Sequence, residues 1–256
     1  MMKTLVVANQ KGGVGKTTLL VHMAHYAAEA GSRVLVIDLD PQCNTSSSLE
    51  AFASDVVASA LFGPQSVDLK QSSEHHITLI RADSALLNVD RARLDATQAF
   101  VGQVRRLSDS ARFDLCLIDT APALGLRMVA AVTAANYVIS PIELEAYSTD
   151  GIASMLKTIY GIRQKLNPGL QFLGMLPSRV NSHSPAQKVN LVDLLKSYPD
   201  LVMRKVISQR STTGEAAGAK KPVWAIRKTS AREAGQEMKA VLAHIIEKMG
   251  GVPYDA

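Results

Sequence analysis

A glycine-rich octet near the start of the chain restricts its fold more than any other feature. The octet Lys11–Thr18 reads Lys-Gly-Gly-Val-Gly-Lys-Thr-Thr and follows an apolar run. That run predicts a strand over Thr4–Ala8, and the periodicity after the octet predicts a helix that continues to Ala30 and is closed by Gly31. Glycines let backbone N–H groups converge on an anion, and the helix N-terminus adds a partial positive charge. The sequence therefore predicts a site for the phosphates of a nucleoside triphosphate.

The side chains of the octet fit the same ligand. Lys16 would place a positive charge at the β and γ phosphates, and Thr17 would offer its hydroxyl to Mg²⁺. Thr18 would add a further hydrogen-bond donor nearby. The predicted nucleotide-binding residues are Gly12, Gly13, Val14, Gly15, Lys16, Thr17 and Thr18.

The octet departs from the usual phosphate-loop pattern G-x-x-x-x-G-K-[ST], because Gln10 replaces the first glycine and Lys11 opens the loop. In this respect it resembles the deviant Walker A loop of the ParA/MinD family of dimeric ATPases. The resemblance implies that the nucleotide is ATP and that Lys11 reaches the phosphates bound by a partner subunit. Dimerisation would then be part of the mechanism. The alternative is a surface lysine that happens to precede a glycine turn.

Two acids follow the next predicted strand, Val34–Ile37, in the segment Asp38-Leu39-Asp40-Pro41-Gln42. Alternation at a strand end places Asp38 and Asp40 on the same side, so both could face the phosphates. The resemblance implies that Asp40 positions or activates the attacking water and that Asp38 lies near Mg²⁺ and its waters. The alternative is two solvated acids in a turn. The predicted catalytic residues are Lys11, Lys16 and Asp40.

A third acid, Asp119, ends the apolar run Leu115–Ile118, which is typical of a central parallel strand. This segment is similar to a Walker B motif. Asp119 would hold Mg²⁺ through a water, since Mg²⁺ keeps much of its hydration shell. The following segment, Thr120–Gly125, resembles a switch loop that senses the γ-phosphate. The predicted metal site consists of Thr17, Asp38 and Asp119.

Strands and helices alternate along the rest of the chain. This order predicts an α/β fold of the P-loop NTPase type, a doubly wound, mostly parallel sheet with helices on both faces and ligands at the carboxyl ends of the strands. The segment Ser46–Lys70 is expected to be helix plus loop. We expect one ATPase domain over residues 1–256, without an N-terminal helix-turn-helix domain. Further strands are predicted at Ile77–Ile80, Tyr137–Ile139, Phe172–Met175 and Met203–Ile207.

Charge is distributed unevenly between the two parts of the chain. Residues 1–150 carry 12 lysines and arginines against 16 acidic residues, whereas residues 151–256 carry 16 against 7. A basic surface with few aromatic residues suits phosphate backbones and predicts sequence-independent, salt-sensitive binding. The alternative is a solvated basic face without a ligand. The candidate DNA-binding residues are Arg204, Lys205, Arg210, Lys220, Lys221, Arg227 and Lys228, with Arg232 close by.

The resemblance is greatest to the short plasmid-type ParA partition ATPases. It implies a DNA-segregation ATPase that dimerises on ATP, binds nonspecific DNA and hydrolyses ATP when a ParB-like centromere-binding partner stimulates it. Weaker support comes from Ser140–Glu145 and Lys221–Val223. Two segments depart from the family pattern. Cys43 stands where the family commonly has glycine, and Asn181–Ser184 does not match the base-contacting pattern, so the adenine contacts are not assigned.

Three other functions share part of this pattern. A MinD-like membrane-cycling ATPase normally ends in a basic amphipathic helix, but the predicted last helix, Ala231–Met249, has the pattern of core packing. An iron–sulfur reductase of the nitrogenase iron-protein type needs bridging cysteines, and Cys43 and Cys116 lie in other segments. A DNA-binding module with a vestigial nucleotide site is disfavoured by the intact Lys16 and Asp119.

No apolar stretch of about eighteen residues and no signal-like segment is present in the sequence. We therefore expect a cytoplasmic, nucleoid-associated protein without a membrane partner. Both cysteines are expected to be structural.

Overall fold

A parallel sheet forms the centre of the computed structural model, which describes residues 1–69, 76–91, 95–145 and 149–251. Within these ranges seven strands pair in the order β3-β4-β2-β5-β1-β6-β7, and every pair is parallel. The α/β fold and the parallel sheet are thus confirmed. The strands are β1 Lys3–Val7, β2 Val34–Asp38, β3 Ala53–Val57, β4 Ile77–Arg81, β5 Leu115–Asp119, β6 Tyr137–Glu143 and β7 Gln171–Ser178.

Helices cover both faces of the sheet. Successive strand residues point to opposite sides, and in the central strands both sets are buried, so each face packs against helices. In β1, Leu5 belongs to the core on one face, which includes residues of α1, α8 and α9, whereas Val6 belongs to the core on the other face, with residues of α4, α5 and α6. The buried apolar face of α9 confirms the core-packing pattern predicted for the last helix. The described helices are α1 Lys16–Glu29, α2 Asn44–Ser48, α3 Leu86–Val89, α4 Asp95–Asp109, α5 Leu126–Ala134, α6 Thr149–Lys165, α7 Pro185–Ser197, α8 Ser211–Gly218 and α9 Thr229–Lys248.

Two predictions about the sheet are wrong. The segment predicted as helix plus loop, Ser46–Lys70, contains the edge strand β3, although Lys70 itself lies outside the described residues. Conversely, Met203–Ile207 is not a strand. Its ends bond to β7, through Met203 N to Met175 O at 2.8 Å and Ile207 N to Pro177 O at 2.9 Å. The two contacts are separated by exposed residues, so no continuous ladder forms.

The strand register brings the predicted site residues to one edge of the sheet. Asp38, the last residue of β2, lies directly opposite Asp119, the last residue of β5. Val7, at the end of β1, is the other neighbour of Asp119. The phosphate loop follows β1, so the three motifs meet at the carboxyl ends of three adjacent strands, where α/β sheets bind ligands.

Candidate active site

The loop between β1 and α1 requires glycine at a defined position. Gly15 has a φ of +90°, and a Cβ there would lie 2.8 Å from the Ser178 Oγ. Any side chain would therefore strain the backbone and displace the Ser178 hydroxyl. With no Cβ in the way, the loop passes close to β7 and α1 begins at Lys16 with its free N–H groups directed at the loop.

Lys16 is buried beside the carboxylates. Its Nζ donates to the Lys11 carbonyl at 3.1 Å, so the side chain folds back over the loop. Burial lowers the pKa of Lys16, and the charges of Asp119 and Asp40 oppose that effect. A phosphate entering the loop would supply the anion that this ammonium lacks.

Asp119 is a fully buried carboxylate that is bonded to hydroxyl groups. Its Oδ2 accepts hydrogen bonds from Thr17 Oγ1 at 2.8 Å and Thr45 Oγ1 at 2.7 Å. Burial, followed by the neighbouring Asp38, raises the pKa of Asp119 to about 7. Carboxylate and hydroxyl oxygens are the ligands that Mg²⁺ prefers, and a cation would relieve the buried negative charge, so the residues present fit Mg²⁺. Thr45 joins this group without having been predicted from the sequence.

Asp38 and Asp40 have different surroundings, although both lie at this edge. Asp38 is buried beneath the site, where its Oδ2 accepts from Ser46 N at 2.8 Å and Ser46 Oγ at 2.6 Å. Its Oδ1 accepts from Asp40 N at 3.0 Å, and burial raises its pKa. Asp40 lines the cavity over the phosphate loop, and its Oδ1 accepts from Gln42 N at 3.0 Å. Asp40 can therefore face a ligand directly, whereas the oxygens of Asp38 are already engaged.

Cys43, the departure noted in the sequence, adopts a left-handed conformation with a φ of +57°. This region favours glycine, so a residue with a Cβ is strained here.

Two cavities flank the phosphate loop. One, of about 580 Å³, lies over Lys16 and Thr17 and is also lined by Asp40 and by Pro122 of the predicted switch segment. The other, of about 490 Å³, extends on the far side of the loop to the residues after β7 and before α8. Thr18 and two loop glycines line both cavities. Their combined extent gives room for phosphates on one side and a nucleoside on the other.

Lys11 forms an ion pair within its own chain. Its Nζ lies 3.3 Å from Glu143 Oε2, and the side chain is 42% exposed. Glu143 also lies 3.6 Å from Arg179 Nη1, which donates to Gly13 O at 2.9 Å. Sequence reasoning missed Ser178 and Arg179 and assigned Glu143 no role, since these residues lie at the ends of β6 and β7, far from the octet in sequence.

The candidate DNA-binding residues do not form one group. Three of them pair with acids: Lys220 with Glu50 at 2.7 Å, Lys228 with Glu215 at 2.8 Å, and Arg210 with Glu233 at 3.1 Å. Arg210 also lines the cavity beside the phosphate loop. The remaining four are exposed and form no ion pair with another described residue; they are Arg204, Lys205, Lys221 and Arg227.

A shallow cavity of about 440 Å³ gathers part of the positive charge around Trp224. We call it the basic cavity. It is lined by Arg227, Lys228, Arg232 and Lys239, and the Lys239 ammonium lies 4.8 Å from the centre of the Trp224 ring. Arg204 and Lys205 do not line it.

His22 connects the phosphate-loop helix to the segment beside the basic cavity. Its Nε2 accepts from Val223 N at 3.1 Å, and its Nδ1 lies 2.7 Å from Thr18 O. The ring is therefore neutral, with its proton on Nδ1. Burial lowers the pKa of His22 to about 4, in agreement with this arrangement.

The phosphate loop, the buried lysine and the three carboxylates at the carboxyl ends of parallel strands define a P-loop NTPase. Comparison with known proteins identifies the family within this class. A family described as "AAA domain" matches residues 2–172. Protein IncC of Escherichia coli is 45% identical, over 97% of this chain and 70% of IncC. The chromosome-partitioning ATPase Soj of Thermus thermophilus is 32% identical, over 84% of each chain.

The chain therefore belongs to the ParA-type family, whose members among its relatives are plasmid and chromosome partition ATPases. A solved structure of cobyrinic acid a,c-diamide synthase from Mycobacterium smegmatis, with bound ADP and magnesium, is 26% identical and has a TM-score of 0.78 over the whole of both chains. In the part of the chain that the structure describes, no helix is long and apolar enough to cross a membrane.

Proposed function

We propose that this chain is a Mg²⁺-dependent ATPase of DNA partition, acting as one domain over residues 1–256. The observation that carries the proposal is that Lys16, Thr17 and Asp40 line a single cavity at the phosphate loop, while the buried Asp119 bonds the Thr17 hydroxyl. Burying a lysine and several carboxylates without ion pairs between them costs free energy. Mg²⁺ bound to a triphosphate would offset this cost, because the metal compensates the carboxylates and the phosphates compensate the lysine.

In the proposed reaction the chain acts by positioning and electrostatics. Lys16 and the loop N–H groups hold the β and γ phosphates, while Thr17 and Asp119 would hold the metal, with Asp38 near its waters. Bound Mg²⁺ would neutralise charge that develops on the phosphate oxygens. Asp40 orients the attacking water, since it faces the cavity and only one of its carboxylate oxygens is hydrogen-bonded within the described residues.

Lys11 is proposed to act across a homodimer. Its ammonium is exposed, and the Glu143 pair holds it at the surface next to the loop. In the ATP-bound dimer it would leave Glu143 for the phosphates held by the partner chain. Nucleotide occupancy and pairing would then be linked through the free energy of the dimer.

Nonspecific DNA is the proposed second ligand, at the basic cavity and the exposed cations near it. Support comes from Arg227 and Arg232, which line one concave surface together with Lys228 and Lys239, two lysines that pair with Glu215 and Glu29. The His22 contacts link this surface to the phosphate-loop helix, so its position can follow the nucleotide state. A ParB-like centromere-binding protein is the proposed activator of hydrolysis, and the protein is proposed to be cytoplasmic and nucleoid-associated.

DNA retention with ATP, with ADP and without nucleotide, across a range of salt concentrations, tests the proposal. Retention should require ATP and fall steeply with salt. Lys11→Ala should bind ATP but lose both pairing and retention, whereas Lys165→Ala, an exposed lysine at the end of α6, should behave as wild type. Equal retention in all three nucleotide states would contradict the proposal.

Matched double variants test which basic side chains contribute to DNA binding. Lys221→Ala with Arg227→Ala should reduce the salt slope by about 2, because each lost phosphate contact reduces it by about 1. Lys157→Ala with Lys165→Ala removes the same charge from α6 and should leave the slope unchanged. An equal loss in both pairs would assign the binding to net charge rather than to this surface.

A further inference from the structure

A buried arginine outside the recognised motifs contacts the loop that carries the catalytic carboxylate. Arg127 lies on α5, and its side chain is only 9% exposed. Its Nε and Nη2 donate to Asp90 Oδ2 at 3.0 and 2.6 Å, and its backbone N donates to Asp90 Oδ1 at 3.2 Å. The fourth donor, Nη1, bonds to the Leu39 carbonyl at 3.0 Å. The guanidinium is thus fixed by one acid and directed at one peptide group.

Leu39 stands between the two acids of the second motif, and its backbone is held on both sides. Its N–H donates to Asp119 O at 3.0 Å, while its carbonyl accepts from Arg127. The peptide that joins Leu39 to Asp40 is fixed at its other end as well, because Asp40 N donates to Asp38 Oδ1. The orientation of this peptide sets the direction in which the Asp40 side chain leaves the backbone.

Asp90 also contacts the end of the predicted switch segment. A Cβ on Gly125 would lie 2.5 Å from Asp90 Oδ1, so only glycine allows the segment to approach this closely. The Asp90–Arg127 pair therefore touches two loops, the one that presents Asp40 and the one that follows Asp119. Partial burial opposes ionisation of Asp90, but the Arg127 bonds hold its pKa below the usual value, so the pair stays charged near neutral pH.

We propose that Arg127 is a positioning residue for ATP hydrolysis: held by Asp90, it fixes the Leu39 carbonyl and thereby directs the Asp40 carboxylate toward the attacking water. The inference rests on the proposed function of Asp40. Among the described residues the side chain of Arg127 bonds Asp90 and Leu39 and neither Lys16 nor the phosphate loop, so nucleotide binding should not depend on it.

Arg127→Lys tests the proposal, because lysine keeps the charge but cannot bond Asp90 twice and also reach Leu39. We expect kcat to fall about 10-fold or more, with the ATP dissociation constant within about twofold of wild type, since small errors of position slow chemistry without weakening binding. The matched control is Arg33→Lys. Arg33 also donates from Nε and Nη2 to an aspartate, to Asp114 Oδ2 at 3.0 Å and Oδ1 at 2.7 Å, at the opposite ends of β2 and β5. Its kcat should be that of wild type.

Wild-type kcat in Arg127→Lys, or an equal fall in Arg33→Lys, would overturn the proposal. If Arg127→Lys does not fold, Asp90→Asn decides in its place: it keeps the shape of the pair but weakens the hold on Arg127, so a wild-type kcat would again overturn it. Asp40→Ala separates this failure from that of the proposed function. If Asp40→Ala is inactive while Arg127→Lys is fully active, only the positioning role is lost.

Discussion

The carboxylates at the two ends of strands β2 and β5 have different partners, and their pKa values are shifted in opposite directions. At the amino end, Asp114 is bonded by Arg33, which holds the pKa of Asp114 below its usual value. At the carboxyl end, Asp38 and Asp119 lie opposite each other, bonded to hydroxyl and N–H groups, and burial raises the pKa of both. Neither forms an ion pair with another described residue. One end is neutralised and supports the fold, whereas the other keeps uncompensated charge for a ligand.

The largest effect is expected on kcat, when a carboxylate is removed from the carboxyl end and, for comparison, from the amino end. Asp40→Ala should lower kcat at least about 100-fold while ATP is still bound, because the water loses its orienting group. Asp114→Ala, an equal truncation at the amino end, should leave kcat unchanged. Single-turnover hydrolysis together with ATP titration measures both, and a large loss in Asp114→Ala would remove the distinction between the ends.

The next effect is the pH dependence of stability at Asp119. Its folded-state pKa, about 7, lies above the ordinary value of 3.8, so the folded protein retains a proton that the unfolded chain loses between these values. Without nucleotide and Mg²⁺, the free energy of unfolding of the wild type should therefore fall as the pH rises from 3.8 to about 7. Asp119→Asn does not titrate, so it should be more stable than wild type at pH 8, by on the order of 4 kcal/mol at about 1.4 kcal/mol for each pKa unit.

Urea unfolding at several pH values checks this difference. At pH 4 the advantage of Asp119→Asn should vanish. With Mg²⁺ and ATP the difference should shrink or reverse, because the wild type binds the metal and nucleotide more tightly and gains more stability from them. A constant difference across the pH range would show that the buried carboxylate is not responsible.

The smallest effect is expected at the amino end and has the opposite sign. The lowered pKa of Asp114 gives stability that is present above the unfolded pKa and lost as pH falls through the folded one. Asp114→Asn should therefore be less stable than wild type at neutral pH, by about 1 kcal/mol, since Arg33 is 36% exposed and screened by water. The deficit should shrink in acid. A variant as stable as wild type at pH 7 would mean that the pair contributes nothing.

Much of the carboxyl end could be predicted from sequence because each motif is a local signal. The loop glycines, Asp38, Asp40 and Asp119 each follow a recognisable apolar run, and parallel strands bring such ends together. The sheet was predictable for the same reason, except at its edges. None of the residues of β3 is buried and the strand lacks an apolar run, so its sequence resembles a loop.

The remaining site residues could not be predicted, because each is defined by a contact between distant segments. Arg127 reads as an ordinary charge in an apolar helix, and only the fold shows that it reaches Leu39. Glu143 and Arg179 meet Lys11 and Gly13 from the ends of β6 and β7. Arg210 has the composition of a DNA contact, yet it faces two acids of α9. Sequence composition gives charge but does not give the partner of a charge.

The Glu143 contact of Lys11 has a consequence for how the proposed dimer would respond to its ionic environment. When the proposed dimer forms, the Lys11 ammonium would exchange its contact with Glu143 for a contact with the phosphates of the partner chain. Added electrolyte weakens both contacts, so their difference changes little. Attachment of a basic surface to DNA instead displaces condensed counterions and has no such compensation. As the electrolyte concentration rises, dimers should detach from DNA before their two chains come apart.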